Sequence, residues 1–120
     1  MAELQSYQLF IQLLDEVELE IGKLGKYSFP AGLYIYTGSG KKNLNARIER
    51  HKKSHKNLRW HIDYFLISPL TKIIKIKTSL VPECKLNQST DGNIIIPGFG
   101  ASDCRQNCGA HLKYLQGNTL

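Results

Sequence analysis

"GLYIYTGSGKKNLNARIERH", residues 32–51, changes its period part-way along. Through Thr37 the side chains alternate, with Tyr34 and Tyr36 on one face and Leu33, Ile35 and Thr37 on the other, the period of a β-strand. After Ser39-Gly40 the spacing lengthens. Asn43 is placed to cap, and Leu44, Arg47, Ile48, His51 and His55 recur at helical intervals over residues 44 to about 56. Arg47, His51 and His55 therefore share one helical stripe. A strand running straight into a basic helix is the unit around which the other segments are arranged.

Upstream, "SYQLFIQLL" (6–14) also alternates, with Tyr7, Leu9, Ile11 and Leu13 opposite Gln8 and Gln12, so two adjacent strands of a small sheet are expected. Residues 15–31 read as a connector whose glycines and Pro30 make a turn. Downstream, "RWHIDYFLIS" (59–68) fits a short helix or a strand, the helix being favoured, and the β-branched "TKIIKIKTS" (71–79) is a strand. Pro82 suits the first turn of a short helix through about Gln88, "TDGN" is a turn, "IIIPGFGASDC" is a brief strand entering a loop, and "HLKYL" (111–115) is a last short strand or turn. The fold class expected is a small α/β (α+β) domain: a central antiparallel sheet of about three strands flanked by helices, in one domain covering residues 1–120.

Composition narrows the functional classes. The 120 residues are 42% hydrophobic and 22% charged, enough to bury a modest single core. Met-Ala-Glu-Leu-Gln at the start has no basic segment leading an apolar run, and no uncharged stretch approaches the ~20 residues that span a bilayer, so a cytoplasmic protein without membrane contact is expected. Three cysteines, Cys84, Cys104 and Cys108, make a disulfide framework improbable. With His111 they supply ligand types for a structural zinc, but three residues separate Cys104 from Cys108 where a zinc knuckle has two, and buried thiols are the favoured reading.

The net charge of +6 is unevenly spread. Residues 1–20 hold five acids and no Lys or Arg, whereas residues 41–59 hold eight of the sixteen basic residues and a single acid, Glu49. One concentrated positive patch is the footprint of a polyanion binder, and a solvated helix face explains it equally well. Within it, Lys41, Lys42, Arg50, Lys52, Lys53 and Lys56 are the candidate nucleic-acid contacts.

"YTGSGKKNLNARIERH", "WHIDYFL", "PECKL" and "GFGASDC" followed by "HLKYL" together resemble the GIY-YIG nucleases, specifically a prokaryotic branch that occurs alone or fused to an endonuclease III-like domain. The resemblance covers nearly the whole chain. It implies that Tyr36-Thr37-Gly38 stands for the Tyr-Ile-Gly signature, Arg47 for the helix arginine and His51 for its partner four residues on. It makes Gly32-Leu33-Tyr34 a decoy, because the first signature belongs on the earlier strand, where Tyr7 holds the tyrosine position and Gln5 stands in place of glycine. A lysine that often follows the second signature is Ser39 here, with Lys41 or Lys42 as substitutes.

The resemblance further implies a DNA endonuclease or nickase, structure-specific and in DNA repair, with RNA not excluded. It would use one Mg²⁺ or Mn²⁺ held by a single carboxylate, and Glu83 in "VPEC" matches that place. Tyr36 would serve as general base or its relay, Tyr7 would support it, Arg47 would grip the scissile phosphate, and His51 would orient water or bind phosphate. A strand tyrosine taken alone is usually a packing residue, and its spacing to Arg47 and His51 is what turns Tyr36 toward chemistry. His61 and Asp63 either support the active site from behind or form a structural hydrogen-bonded pair, and both readings stay open. Glu83 also has a plainer role, complementing a helix dipole. A nucleic-acid-binding module without turnover is the alternative, favoured by Gln5 and by the missing lysine.

Overall fold

The computed structural model describes residues 4–40, 44–53, 58, 60–99 and 110–115. Strand β1 (Ser6–Leu13) lies at the centre, hydrogen-bonded on one side to β4 (Gly32–Ser39) and on the other to β5 (Thr71–Ser79), while β6 (Leu112–Tyr114) closes the far edge in the order β5-β1-β4-β6. Every neighbouring pair is antiparallel. The small antiparallel sheet expected is present with four strands, and "HLKYL", which reads as a last short strand or a turn, supplies the fourth by pairing with the edge of β4.

The connector 15–31 is more structured than its turn residues suggest. Val17–Glu20 and Lys26–Phe29 form a second, two-stranded sheet, β2 and β3, around a 3-10 turn at Gly22–Leu24. Gly25, at φ +103°, closes that turn in a conformation that side chains resist. Val17-Glu18-Leu19-Glu20 does alternate, but over four residues alternation is a weak signal.

Three short helices complete the described chain: α1 (Leu44–Lys52), α2 (His61–Leu66) and α3 (Glu83–Gln88). The expected helix over 44 to about 56 is described through Lys52, and "RWHIDYFLIS" is indeed helical at its centre. Asp63 starts α2 by accepting the backbone N–H of Trp60 at 2.9 Å. The brief strand expected at Ile94–Ile96 is instead irregular chain, tied to the sheet by one bridge between Asn93 and Tyr114.

One main core and a small satellite cluster follow from the alternation of β1 and β4. Tyr7, Leu9, Ile11, Leu13, Tyr34 and Tyr36 point into the larger one with Phe29, Ile48, Ile62, Phe65 and Phe99, while Phe10, Leu33 and Ile35 form a smaller cluster on the opposite face. Helix α3 is anchored by polar bonds: Gln8 Nε2, which also donates to Thr37 Oγ1 of β4 at 3.1 Å, donates to Thr90 Oγ1 just past the helix at 2.8 Å, and Lys113 Nζ donates to the carbonyls of Asn87 and Thr90, both at 3.1 Å. That buried ammonium neutralises the negative end of α3. Among the described residues no helix is long and apolar enough to cross a membrane.

Candidate active site

Tyr7, on β1, meets His51, on α1, through a buried hydrogen bond of 2.6 Å between Oη and Nε2. Gly38 makes room for it. Gly38 pairs with Tyr7 across the ladder, and a Cβ there would sit 2.8 Å from Tyr7 Cε1 and closer still to Cζ. The glycine of the Tyr36-Thr37-Gly38 signature is thus required by the tyrosine ring lying over it. Gln5 needs no such freedom: its N–H donates to Ser79 O at 2.8 Å and its carbonyl accepts from Gly40 at 2.9 Å, extending the ladder at both edges of β1.

Around that bond the other expected residues assemble. The Tyr36 ring lies 6.3 Å from Tyr7 and 5.9 Å from His51. Arg47 donates to Ser39 O at 3.1 Å, holding the start of α1 against the end of β4. Trp60, which sequence reasoning misses, organises the rest: its ring lies 5.6 Å from His51, with the Arg47 and Arg50 guanidiniums 5.3 and 4.5 Å from its centroid. The signal available is an aromatic residue at the end of a basic run, which is too common to single out.

Burial sets the electrostatics. It raises the Tyr36 phenol well above its ordinary value, Tyr7, Glu83 and Asp63 push the same way, and Arg47 opposes them. Tyr7 is likewise raised, by burial first, then opposed by Arg47 and reinforced by Glu83. Both phenols are therefore held protonated, and a phenolate at Tyr36 needs additional positive charge beside it.

Glu83 is at the first turn of α3, where its Oε2 lies 3.0 Å from Nδ1 of His111. The same nitrogen lies 3.2 Å from Thr37 O. A carboxylate and a carbonyl both accept, so Nδ1 carries the proton and divides it between them. His111 is 1% exposed and the Glu83 side chain 28%, so the carboxylate is backed by protein and still reaches solvent. Glu83 and His111 are far apart in the chain, and no sequence pattern links them.

The remaining candidates divide. Arg50 makes a bidentate pair with Asp63, Nη1 to Oδ1 at 2.7 Å and Nη2 to Oδ2 at 2.9 Å, and this bond raises its already high pKa. Asp63 is fully buried, so the pair joins α1 to α2. The His61 ring lies 5.7 Å from that of Phe99, tilted by 57°, and burial lowers its pKa. Lys52 and Lys53 are exposed, Lys52 pairing with Glu49 at 3.2 Å. Lys41, Lys42, His55, Lys56, Cys104 and Cys108 lie outside the described residues.

The donor set bears on the expected cation. Among the described residues no three His, Cys, Asp or Glu side chains come together as a metal-binding group. One partly exposed carboxylate braced by a histidine matches a hard ion that keeps most of its own waters.

A family model described as "Domain of unknown function DUF123" matches residues 6–120. The chain belongs to the DUF123 family. No curated protein and no solved structure matches it. The DUF123 match begins at Ser6 in β1 and runs past β6, so Tyr7, Tyr36, Arg47, His51, Glu83 and His111 all fall within it.

Proposed function

We propose that this DUF123 domain hydrolyses phosphodiester bonds in DNA as a GIY-YIG-type endonuclease or nickase acting in the cytoplasm, with RNA as the other substrate to be tested and DNA repair as the setting. The observation that carries the reading is the 2.6 Å Tyr7–His51 hydrogen bond with Tyr36 beside it, in the field of both Arg47 and Glu83. Residues 7, 36, 47, 51 and 83 come from four elements, and packing alone gives no reason for a phenol pair, an imidazole, a guanidinium and a carboxylate to converge.

Glu83 would hold one Mg²⁺ or Mn²⁺, whose charge polarises the phosphate and its attacking water. His111 fixes the carboxylate's orientation from behind. Arg47, anchored at Ser39 O and flanked by Trp60, presents its remaining donors to the phosphate. Tyr36 relays the proton of the attacking water, and the Tyr7–His51 pair provides the next stop for it.

A binding module without turnover is the second reading. What favours it is the protonated state of both phenols, since burial opposes the base form that chemistry requires. Cleavage of branched, nicked, flapped and single-stranded DNA with Mg²⁺ or Mn²⁺ decides between them. Wild type should cut at least one substrate, and Arg47→Ala should lower both affinity and rate. Binding without cleavage of any substrate by either cation would leave the module reading.

A further inference from the structure

The pattern Lys72-Ile73-Ile74-Lys75-Ile76-Lys77 cannot alternate cleanly in a regular strand, because Lys72 would face the core with Ile76. A bulge resolves the conflict. Phe10 pairs with Lys75 but its neighbour Ile11 pairs with Ile73, so Ile74 is the extra residue and the strand changes face across it. Ile73 and Ile76 then both pack on the larger core. Lys72, Lys75 and Lys77 pair with Gln12, Phe10 and Gln8 and so share the opposite face of the sheet.

All three lysines are exposed, on the edge strand. The ammonium groups of Lys75 and Lys77 sit 5.7 and 5.3 Å from the Phe10 ring, which steadies two of the three heads beforehand. Because of the bulge the three lysines fall at successive alternate register positions, which advance about 6.6 Å each, close to the axial rise of two phosphates on one strand of duplex DNA at about 3.4 Å of helix axis apiece. The row also leads somewhere. Two residues past Lys77, Ser79 pairs with Ser6, and Ser6 with Ser39, whose carbonyl holds Arg47.

We infer that Lys72, Lys75 and Lys77 form a second phosphate-binding track, separate from the basic helix α1, which grips the backbone of duplex DNA running toward the Arg47 end of the sheet. The inference rests on the nucleic-acid side of the function proposed above and is independent of turnover. Edge lysines also discourage strand-to-strand association, and the test separates that role from docking.

Binding of a short fluorescein-labelled DNA duplex is followed by anisotropy across a salt series. The triple variant Lys72→Gln, Lys75→Gln, Lys77→Gln should bind about tenfold or more weakly at low salt, and its log–log salt slope should flatten by up to about 2.7, near 0.9 for each phosphate no longer neutralised. Replacing the same three with Arg should restore the slope, and circular dichroism should show an unchanged fold in both. A slope equal to wild type, while Lys52→Gln with Lys53→Gln flattens it, overturns the track and leaves α1 as the docking surface. Self-association on gel filtration with wild-type affinity also overturns it, as does a wild-type protein that fails to bind the duplex. If the track variant loses affinity but the wild type cuts nothing with either cation, the nuclease reading falls and the track stands.

Discussion

Tyr34 and Tyr36 stand two residues apart on one face of β4, both in the same core, and their surroundings have nothing in common. Tyr34 is packed by Phe29, Phe65 and Tyr114 at 4.9 to 6.2 Å, and its hydroxyl donates to Pro30 O at 2.6 Å. Tyr36 faces a phenol and an imidazole, in the field of two carboxylates and a guanidinium. The first end of the strand is an aromatic knot, with the hydroxyls of Tyr34 and Tyr114 satisfied by the carbonyls of Pro30 and Ala31 in a neighbouring turn; the second collects groups that are costly to bury. Identical residues on an identical face acquire different roles from the elements that pack against them.

The largest test of that contrast removes one member from each end. Phe65→Ala should cost about 3–5 kcal/mol of stability, because it empties the centre of the knot, whereas Glu83→Gln at the polar end should leave the melting temperature within a few degrees. Cleavage should follow the reverse order: abolished in Glu83→Gln with DNA affinity equal or slightly higher, and retained by whatever Phe65→Ala protein stays folded. A Glu83→Gln protein that still cuts would remove the functional side of the comparison.

Next in size is the pair of phenols itself. On the nuclease reading Tyr36→Phe should slow turnover by about 10² or more, the scale for losing a positioned proton-transfer group. Tyr34→Phe should leave the rate nearly unchanged and cost about 1 kcal/mol, since Pro30 O loses its donor. Parallel turnover and melting curves check both, and a damaged rate in Tyr34→Phe would reverse the assignment.

The smallest effect is shared by both ends. Tyr7, Tyr34 and Tyr36 all have phenol pKa values raised by burial above the ordinary value of about 10, so the unfolded chain ionises first. Their contribution to stability is intact below about pH 10 and is lost as the pH climbs above it. Phenolate absorbance from these three should therefore appear together with the loss of far-ultraviolet circular dichroism. Ionisation of Tyr36 ahead of unfolding would mean that Arg47 outweighs burial there.

Much of the fold is legible in the sequence. The alternation in residues 6–14 and 32–38 is dictated by the two faces of a strand, and it foretells the central β1–β4 pair and which face each tyrosine takes. The shift to helical spacing after Gly40 places Arg47 and His51 on α1, and Pro82 marks where α3 begins. Periodicity carries such information because it is local. The short β2–β3 hairpin and β6 are hard to read for the same reason: strands of three or four residues owe their existence to a partner, and their own sequence scarcely distinguishes them from loop.

Only the tertiary structure decided which polar groups meet. His51 is expected beside Arg47, but its bond to Tyr7 spans 44 residues; Arg50 looks like one more cation of a basic patch until the fold supplies Asp63 as its buried partner. His111 reads in the sequence only as a possible ligand type, and the fold sets it 3.0 Å from the Glu83 carboxylate, a pairing separated by 28 residues. The amino-acid sequence by itself determined the periods, the charge distribution and the burial preference of each side chain. Long-range pairs lie beyond it because the free energy of a hydrogen bond or ion pair depends on the dielectric and the geometry at the point of contact, and both exist only once the sheet has brought distant segments together.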